Sequence, residues 1–119
     1  MHNFREMIVW QRAHALVLKI YKISQSLPQS ENFGLVLNLR RSAISMATRI
    51  AEGSGKATTA ELDVEFKRAR ATGYELEYLL LVAHDLGFLK DDVHEACTQN
   101  VIEIRKLISG FLKRTMAVP

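Results

Sequence analysis

The sequence predicts an all-α protein with the antiparallel up-down-up-down topology of a four-helix bundle. Apolar residues recur with a helical period in four segments, and no window alternates between apolar and polar residues as a strand does. The connections between the segments are short, which makes consecutive helices antiparallel neighbours. With 48% hydrophobic and 24% charged residues, the 119-residue chain fits one globular domain spanning residues 1–119.

The first helix is predicted from about Glu6 to Ser26, and Pro28 ends it. Its apolar face consists of Val9, Ala13, Leu16, Val17, Ile20, Ile23 and Leu27. Basic residues interrupt this run, so the segment is neither a signal peptide nor a membrane span. We therefore expect a cytoplasmic protein without a membrane partner.

The second helix is predicted from about Glu31 to Glu52, with Ser30 as its N-cap and the glycine-containing segment 53–55 as its stop. Its apolar residues fill an arc of roughly 200°, about twice the usual stripe. They are Leu35, Val36, Leu37, Leu39, Ala43, Ile44, Met46, Ala47, Ile50 and Ala51. A domain of this size covers one side of such a helix, so a second copy of the chain is expected to cover the other.

The third helix is predicted to begin near Thr58 or Thr59 and to end at about Asp85. Thr58 and Glu61 have the spacing of a capping box. The core positions alternate four and three residues apart, as in a seam between bundle helices, and they are Leu62, Phe66, Ala69, Gly73, Leu76, Leu80 and Ala83. A glycine within this seam indicates a close approach by a neighbouring group.

The fourth helix is predicted to begin at Asp91 or Asp92, after a turn closed by Gly87, and to end around Arg114. Its core residues are Val93, Cys97, Val101, Ile104, Leu107, Ile108 and Phe111. Because Cys97 is the single cysteine, an intrachain disulfide is excluded and no pair of thiolate metal ligands exists.

Charge is distributed unevenly between the two predicted hairpins. Residues 1–58 hold eight Lys/Arg and three Asp/Glu, whereas residues 59–119 hold eight and ten. A multivalent positive surface is what a phosphate backbone binds. The candidate nucleic-acid contacts on and near helices 1 and 2 are Arg12, Lys19, Lys22, Arg41, Arg49 and Lys56. The alternative is that these side chains only form a solvated surface.

Arg40 projects into the apolar arc of the second helix, so we expect it to be at least partly buried. A buried guanidinium requires a carboxylate partner. Glu77, at the edge of the third helix's seam, is the candidate within the chain, and Glu75 is the candidate across a subunit interface. The alternative role for Arg40 is contact with nucleic acid.

Two sets of exposed apolar residues are candidates for that interface between subunits. Tyr74 and Tyr78 lie four residues apart on one side of the third helix, away from its seam. Leu37, Ile44 and Ala51 lie in the part of the second helix's arc that the bundle itself does not need.

The sequence contains no recognisable active site, and we expect neither a cofactor nor a metal. The four histidines are scattered, without the i, i+4 pairing of a metal site. The segment 53–56 has a glycine-rich start and a lysine, but Ile50 and Ala57 occupy the positions where a phosphate-binding loop needs a glycine and a hydroxyl. We therefore expect a protein that is not an enzyme.

Several motifs together resemble the four-helix-bundle family of 23S rRNA intervening-sequence proteins, also called S23 proteins. They are Val9-Trp10-Gln11 with Ala13 and Tyr21, Glu31 with Gly34-Leu35, Leu39 to Ser45, Ile50 to Gly53, and Thr72 to Glu77. The chain departs from the family pattern at Asn38, Arg49 and Tyr74. The resemblance implies a homopentameric ring and no established reaction. Related accessory proteins of diversity-generating retroelements bind nucleic acid and a reverse transcriptase.

Two functions remain open at the level of sequence. The first is an oligomeric protein that binds RNA or an RNA/DNA hybrid through backbone phosphates, with an affinity that falls steeply with salt. The second is a structural or adaptor ring that docks a protein partner such as a reverse transcriptase and has little affinity for nucleic acid alone.

Overall fold

The computed structural model describes residues 2–117, with side chains for residues 2–115. Its four α-helices are α1 (Ile8–Ser24), α2 (Leu35–Ser54), α3 (Thr59–Asp85) and α4 (Asp91–Ala117). Two short 3-10 turns cover Phe4–Glu6 and Gln29–Glu31, and no strand occurs within the described residues. The predicted all-α class is confirmed.

Each helix packs against two neighbours, and in the described part of the chain no Cα atom of one helix lies within 8 Å of a Cα atom of the diagonally opposite helix. The order around the bundle is therefore α1, α2, α3, α4, as expected for an up-down-up-down bundle. The molecule measures 50 × 21 × 20 Å, and the helices run along its long axis. One consequence is that the side formed by α1 and α2 faces directly away from the side formed by α3 and α4.

The core consists of the apolar stripes that the sequence predicts. All seven predicted seam residues of α3 are buried, and α2 contributes Leu39, Ala43, Met46 and Ile50 from the centre of its arc. Cys97 is fully buried, and this desolvation raises the pKa of its thiol. The cysteine is thus a small core residue.

The start of the first helix differs from the prediction by two residues. Asn3 accepts a hydrogen bond from the backbone N–H of Arg5 at 3.1 Å and caps the turn Phe4–Glu6. Met7 then adopts an extended backbone, so α1 begins only at Ile8.

The second helix begins four residues later than predicted, and the assignment of Ser30 as its N-cap is wrong. Pro28 is followed by the 3-10 turn Gln29–Glu31, and α2 begins at Leu35, after Gly34. The Glu31 carboxylate accepts from the backbone N–H of Leu35 at 3.4 Å. Glu31 therefore satisfies a free donor of the real N-terminus rather than lying inside the first turn.

The end of α2 lies within the predicted stop at 53–55: the helix continues two residues beyond Glu52, through Gly53 to Ser54, and Gly55 is its C-cap. A β-carbon at Gly53 would lie 2.9 Å from Cδ1 of Phe66, so this glycine allows α2 and α3 to pack closely. Its role here is close packing within the helix, not termination.

The remaining predicted signals of α3 and α4 are confirmed. The Thr58 hydroxyl accepts from the backbone N–H of Glu61 at 3.2 Å and donates to its carboxylate at 2.8 Å. Gly87 has a φ of +85°, a left-handed conformation that glycine adopts without strain, and it closes the turn between α3 and α4.

Candidate functional site

The exposed side of the α1–α2 hairpin carries an open groove of about 600 Å³. Its walls combine apolar side chains with three arginines, and they include Tyr21, Leu37, Ile44, Arg40, Arg41 and Arg49. A shallower hollow, lined in part by Trp10, Val17, Ala47 and Ala51, adjoins it at Ile44. We call Tyr21, Leu37, Ile44 and Ala51 the α2 face.

Apart from Tyr21, which belongs to α1, the α2 face is the part of the wide apolar arc of α2 that the bundle leaves uncovered. Leu37 is 39% exposed and Ile44 is 41% exposed, whereas Leu39 on the same helix is fully buried. Exposed apolar patches of this kind mark interaction sites in soluble proteins. The assignment of Leu37, Ile44 and Ala51 to a subunit interface stays a prediction that this exposure supports.

Arg40 lies at the edge of this groove and points toward α1. Its Nε donates to the Ser24 hydroxyl at 2.9 Å, and its Nη2 donates to the backbone carbonyl of Tyr21 at 3.4 Å. The guanidinium carbon lies 4.5 Å from the centre of the Tyr21 ring, within cation–π range. Within the described residues, Arg40 thus has neutral partners only.

The predicted ion pair between Arg40 and Glu77 is wrong. Arg40 is on the α1 side of α2, whereas Glu77 is on the α4 side of α3, where it pairs with Arg105. The prediction of partial burial for Arg40 is confirmed. Glu75 is exposed and makes no ion pair within the described part of the chain, so its role at a subunit interface stays a prediction.

The pair formed by Arg105 and Glu77 explains the glycine in the α3 seam. Arg105 crosses α3 with its guanidinium carbon 3.9 Å from the centre of the Tyr74 ring. A β-carbon at Gly73 would lie 2.9 Å from Cγ of Arg105. Sequence reasoning expected a close approach at Gly73 but did not identify Arg105, because a basic residue on α4 gave no separate signal.

A second apolar surface lies on the opposite side of the bundle. Tyr74, Tyr78 and Leu81 are 59%, 64% and 41% exposed, and they line a hollow of about 320 Å³ together with His94 and other residues. We call Tyr74, Tyr78 and Leu81 the α3 face. It contains both tyrosines that the sequence places at a subunit interface, and that placement stays a prediction.

The structure does not bring the six predicted nucleic-acid contacts together in one surface. Arg12 pairs with Glu103, and Lys19 donates to the Asn100 side chain at 2.9 Å, so both lie on the α1–α4 side. The α2 face separates these residues from the arginines of α2.

The remaining four contacts are placed differently from one another. Arg49 lies on the α3 side of α2, 3.7 Å from the Glu65 carboxylate, and it is only partly exposed. Lys22, Arg41 and Lys56 are exposed and make no ion pair within the described residues. Nucleic-acid contact by any of the six stays a prediction.

Basic residues are instead concentrated in one half of the bundle's length. We define the basic half as residues 2–16, 45–72 and 104–117. These segments make up the half of the bundle that contains the C-terminal ends of α2 and α4. It holds eleven Lys/Arg and five Asp/Glu, a net charge of +6. The other half, residues 17–44 and 73–103, holds five and eight, a net charge of −3.

The basic half exposes six side chains that make no ion pair in the described part of the chain. They are Arg5, Lys56, Lys67, Lys106, Lys113 and Arg114. Only Lys56 among them was predicted from the sequence. The other five were not predicted, because they come from three separate segments that only the antiparallel fold brings to one end.

The opposite end carries a cluster around the α3–α4 turn. His84 hydrogen-bonds Asp91 at 2.7 Å and Asp85 at 2.9 Å, and these contacts raise the pKa of its imidazole. The His94 ring stacks on it at 4.4 Å between centroids. Within the described residues, no group of three or more His, Cys, Asp or Glu side chains has the arrangement of a metal site.

Among residues 2–117, none of the helices has both the length and the apolar character needed to span a membrane.

The order and packing of the helices define a small antiparallel four-helix bundle, and comparison with known proteins identifies the family. The model of the 23S rRNA-intervening sequence protein family matches residues 5–110. The chain therefore belongs to the family of 23S rRNA-intervening sequence proteins.

A solved structure supports the same fold. It is a protein of unknown function from the S23 ribosomal protein family of Bacteroides thetaiotaomicron VPI-5482, which superposes with a TM-score of 0.83 at 20% sequence identity. The match covers 89% of this chain and 99% of the other. No curated protein matches the chain.

Proposed function

We propose that this protein is a non-catalytic, homo-oligomeric four-helix bundle of the cytoplasm that binds nucleic acid through backbone phosphates. The number of copies that we propose is five, as the family resemblance implies. The observation that carries nucleic-acid binding is the separation of charge along the bundle, +6 in one half and −3 in the other.

The net charge of the whole chain, +3, is modest, but a phosphate backbone responds to the local field. Lys113 and Arg114 near the end of α4, with Lys56 after α2, form the basic end of the molecule. Several copies of this end in one assembly would multiply the contacts that a single strand or duplex could make at once.

RNA is the first nucleic acid to test, because the family's description refers to an intervening sequence of 23S rRNA. The proposed contacts are to phosphates and carry no base readout, so the affinity is expected to depend little on sequence. It should fall as a straight line in a plot of log affinity against log salt, with about one unit of slope per phosphate contact.

The test is fluorescence anisotropy of labelled RNA and DNA oligomers at several salt concentrations. The variant Lys113→Gln removes one charge from the basic half, and the matched control Lys90→Gln removes one from the acidic half, at an exposed lysine outside the six predicted contacts. We expect the first variant to bind several-fold more weakly, with a slope smaller by about one, and the control to bind nearly as the wild type.

Light scattering on the same samples gives the number of copies. If a well-formed multimer binds no nucleic acid even at low salt, the proposal is overturned. The alternative, an adaptor ring that docks a protein partner such as a reverse transcriptase, would then be favoured. Equal losses in the two variants would contradict the assignment of the phosphate contacts to the basic half.

A further inference from the structure

The two exposed apolar faces lie on opposite sides of the bundle. The α2 face belongs to the side formed by α1 and α2, and the α3 face belongs to the side formed by α3 and α4. A face on one side of a molecule cannot contact the opposite face of the same molecule, but it can contact that face on another copy.

The two faces also occupy the same heights along the bundle axis. Gly53 packs on Phe66, and Met46 lies against Gly73, so these pairs mark equal heights on α2 and α3. Since both helices rise about 1.5 Å per residue in opposite directions, the register can be extended along them. This register gives the height of each α2 residue along the bundle axis relative to α3. Residues of the two faces that lie at the same height can therefore be identified.

The matched levels bring apolar groups together. Ile44 lies level with Tyr74, and Leu37 lies level with Leu81. Each of these side chains is between 39% and 59% exposed, so each has area to bury in a contact. Two copies placed side by side with parallel axes and no shift would thus pair the α3 face with the stretch of the α2 face from Leu37 to Ile44, and Ala51 lies about 9 Å beyond Tyr74 along the axis.

Charge at the rim of the two faces is complementary. Arg41 is exposed beside the α2 face, and Glu75 is exposed beside the α3 face. Their heights agree within one helical turn, about 5.4 Å. Neither makes an ion pair within the described residues, and Arg40, also on the α2 side, has only neutral partners.

We infer that the α2 face of one copy binds the α3 face of the next copy, with Arg41 facing Glu75 across the contact. This inference rests on the homo-oligomer of the proposed function and specifies its interface. Because the two faces differ, the contact is heterologous. Its repetition closes a ring of five copies only if each contact turns the next copy by about 72°, and a contact without such a turn repeats as an open array. The parallel axes bring the basic halves of all copies to the same side of that ring.

A two-fold contact between two α2 faces is the competing arrangement. It would bring Arg40 and Arg41 of both copies to one interface, where the groove has Glu52 as its one carboxylate against three arginines. Cations would therefore outnumber carboxylates, and like charges at an interface oppose binding. The heterologous contact avoids this repulsion.

The experiment blocks one face at a time. Ile44→Glu disables the α2 face, Tyr78→Glu disables the α3 face, and Leu18→Glu is the control, because Leu18 is exposed on α1 outside both faces. Circular dichroism and thermal melting verify that each variant is folded, and light scattering gives its mass. We expect the wild type and Leu18→Glu to form the same multimer and the two face variants to be monomers.

Mixing the two face variants distinguishes the arrangements. Each variant keeps one intact face of a different kind, so a heterologous contact predicts a one-to-one dimer from two monomeric proteins. A two-fold contact between α2 faces predicts that Tyr78→Glu self-associates as the wild type does and that the mixture contains no mixed dimer. Either of these results overturns the inference.

Charge reversal tests the rim. Arg41→Glu and Glu75→Arg should each weaken self-association at least tenfold at low salt, and the double variant should recover most of the wild-type affinity. A monomeric wild type would overturn the oligomer of the proposed function itself. If the wild type is a multimer and both face variants form the same multimer, this interface is overturned while the proposed function stands.

Discussion

Arg40 and Arg105 lie on opposite sides of the bundle and are compensated differently. Each guanidinium lies over a tyrosine ring, that of Tyr21 for Arg40 and that of Tyr74 for Arg105. Arg105 ends at the carboxylate of Glu77, whereas Arg40 ends at a hydroxyl and a carbonyl. The α3–α4 side therefore supplies a carboxylate for its own arginine. On the α1–α2 side, Arg40 has no carboxylate partner within the described residues and is available to pair with an anion of another molecule.

The largest expected effect concerns the compensated arginine. Replacing Arg105, whose side chain is 13% exposed, by Ala leaves the Glu77 carboxylate without its partner and removes the packing over Gly73 and Tyr74. Breaking a mostly buried pair from one side costs about 3 kcal/mol. Urea unfolding monitored by circular dichroism measures this loss in free energy of unfolding.

The matched control is Arg12→Ala. Arg12 also pairs with a glutamate, Glu103, but the two side chains are 55% and 45% exposed. An exposed pair contributes about 0.5 kcal/mol or less, since solvent screens it. Equal losses in the two variants would contradict the view that Arg105 stabilises the α3–α4 side through a buried pair.

The second prediction compares two glycines. Gly53→Ala places a methyl group 2.9 Å from the Phe66 ring in the core, and overpacking of this kind costs about 1–3 kcal/mol. Gly110→Ala in α4 meets no atom within 4 Å, so it should gain about 0.5–1 kcal/mol from helix propensity. Thermal melting should therefore show a lower melting temperature for Gly53→Ala and a higher one for Gly110→Ala. A higher melting temperature in both variants would contradict the close packing of α2 on α3.

The third prediction returns to Arg40. Arg40→Ala should lower the free energy of unfolding of one subunit by only about 1 kcal/mol. The variant loses hydrogen bonds to neutral groups and leaves no buried carboxylate behind. Its larger effect should appear in self-association, where light scattering at low and high salt measures it. A loss of stability as large as that of Arg105→Ala would contradict the difference between the two sides.

Sequence periodicity was sufficient for the fold, but only part of the candidate site could be derived from it. The α3 seam and the wide arc of α2 follow from apolar spacing, and Leu37 and Ile44 are indeed exposed. The partner of Glu77 could not be derived, because it depends on how far Arg105 reaches from α4 toward α3. The predicted start of the second helix was wrong because residues 29–31, between Pro28 and Gly34, form a 3-10 turn whose sequence resembles that of a helix.

The charge distribution shows a different limit of sequence reasoning. Counting by hairpin assigns the positive charge to helices 1 and 2, since consecutive residues are counted together. An antiparallel bundle instead brings the end of α4 beside the start of α1, so Arg114 and Arg5 belong to the same end. A count across the helices, rather than along the chain, would have found the basic half.

The smallest effect is expected at the α3–α4 turn, where the carboxylates of Asp85 and Asp91 are 64% and 97% exposed. Asp91 first and Asp85 second raise the pKa of His84 above its ordinary value of about 6.5, while His94 stacks on its ring. Because the folded protein holds this proton more tightly than the unfolded chain, the stabilisation is fully present below about pH 6.5. It is lost as the pH rises through the folded pKa.

His84→Gln should therefore lower the urea midpoint slightly at pH 6 and leave it nearly unchanged at pH 8.5. Asp91→Asn should produce a similar loss at pH 6, because it removes the stronger of the two contacts to the imidazole. A His84→Gln variant whose deficit grows with pH would mean that the neutral imidazole is the stabilised form. A neutral imidazole has one N–H, so it would then donate to only one of the two carboxylates, Asp85 or Asp91.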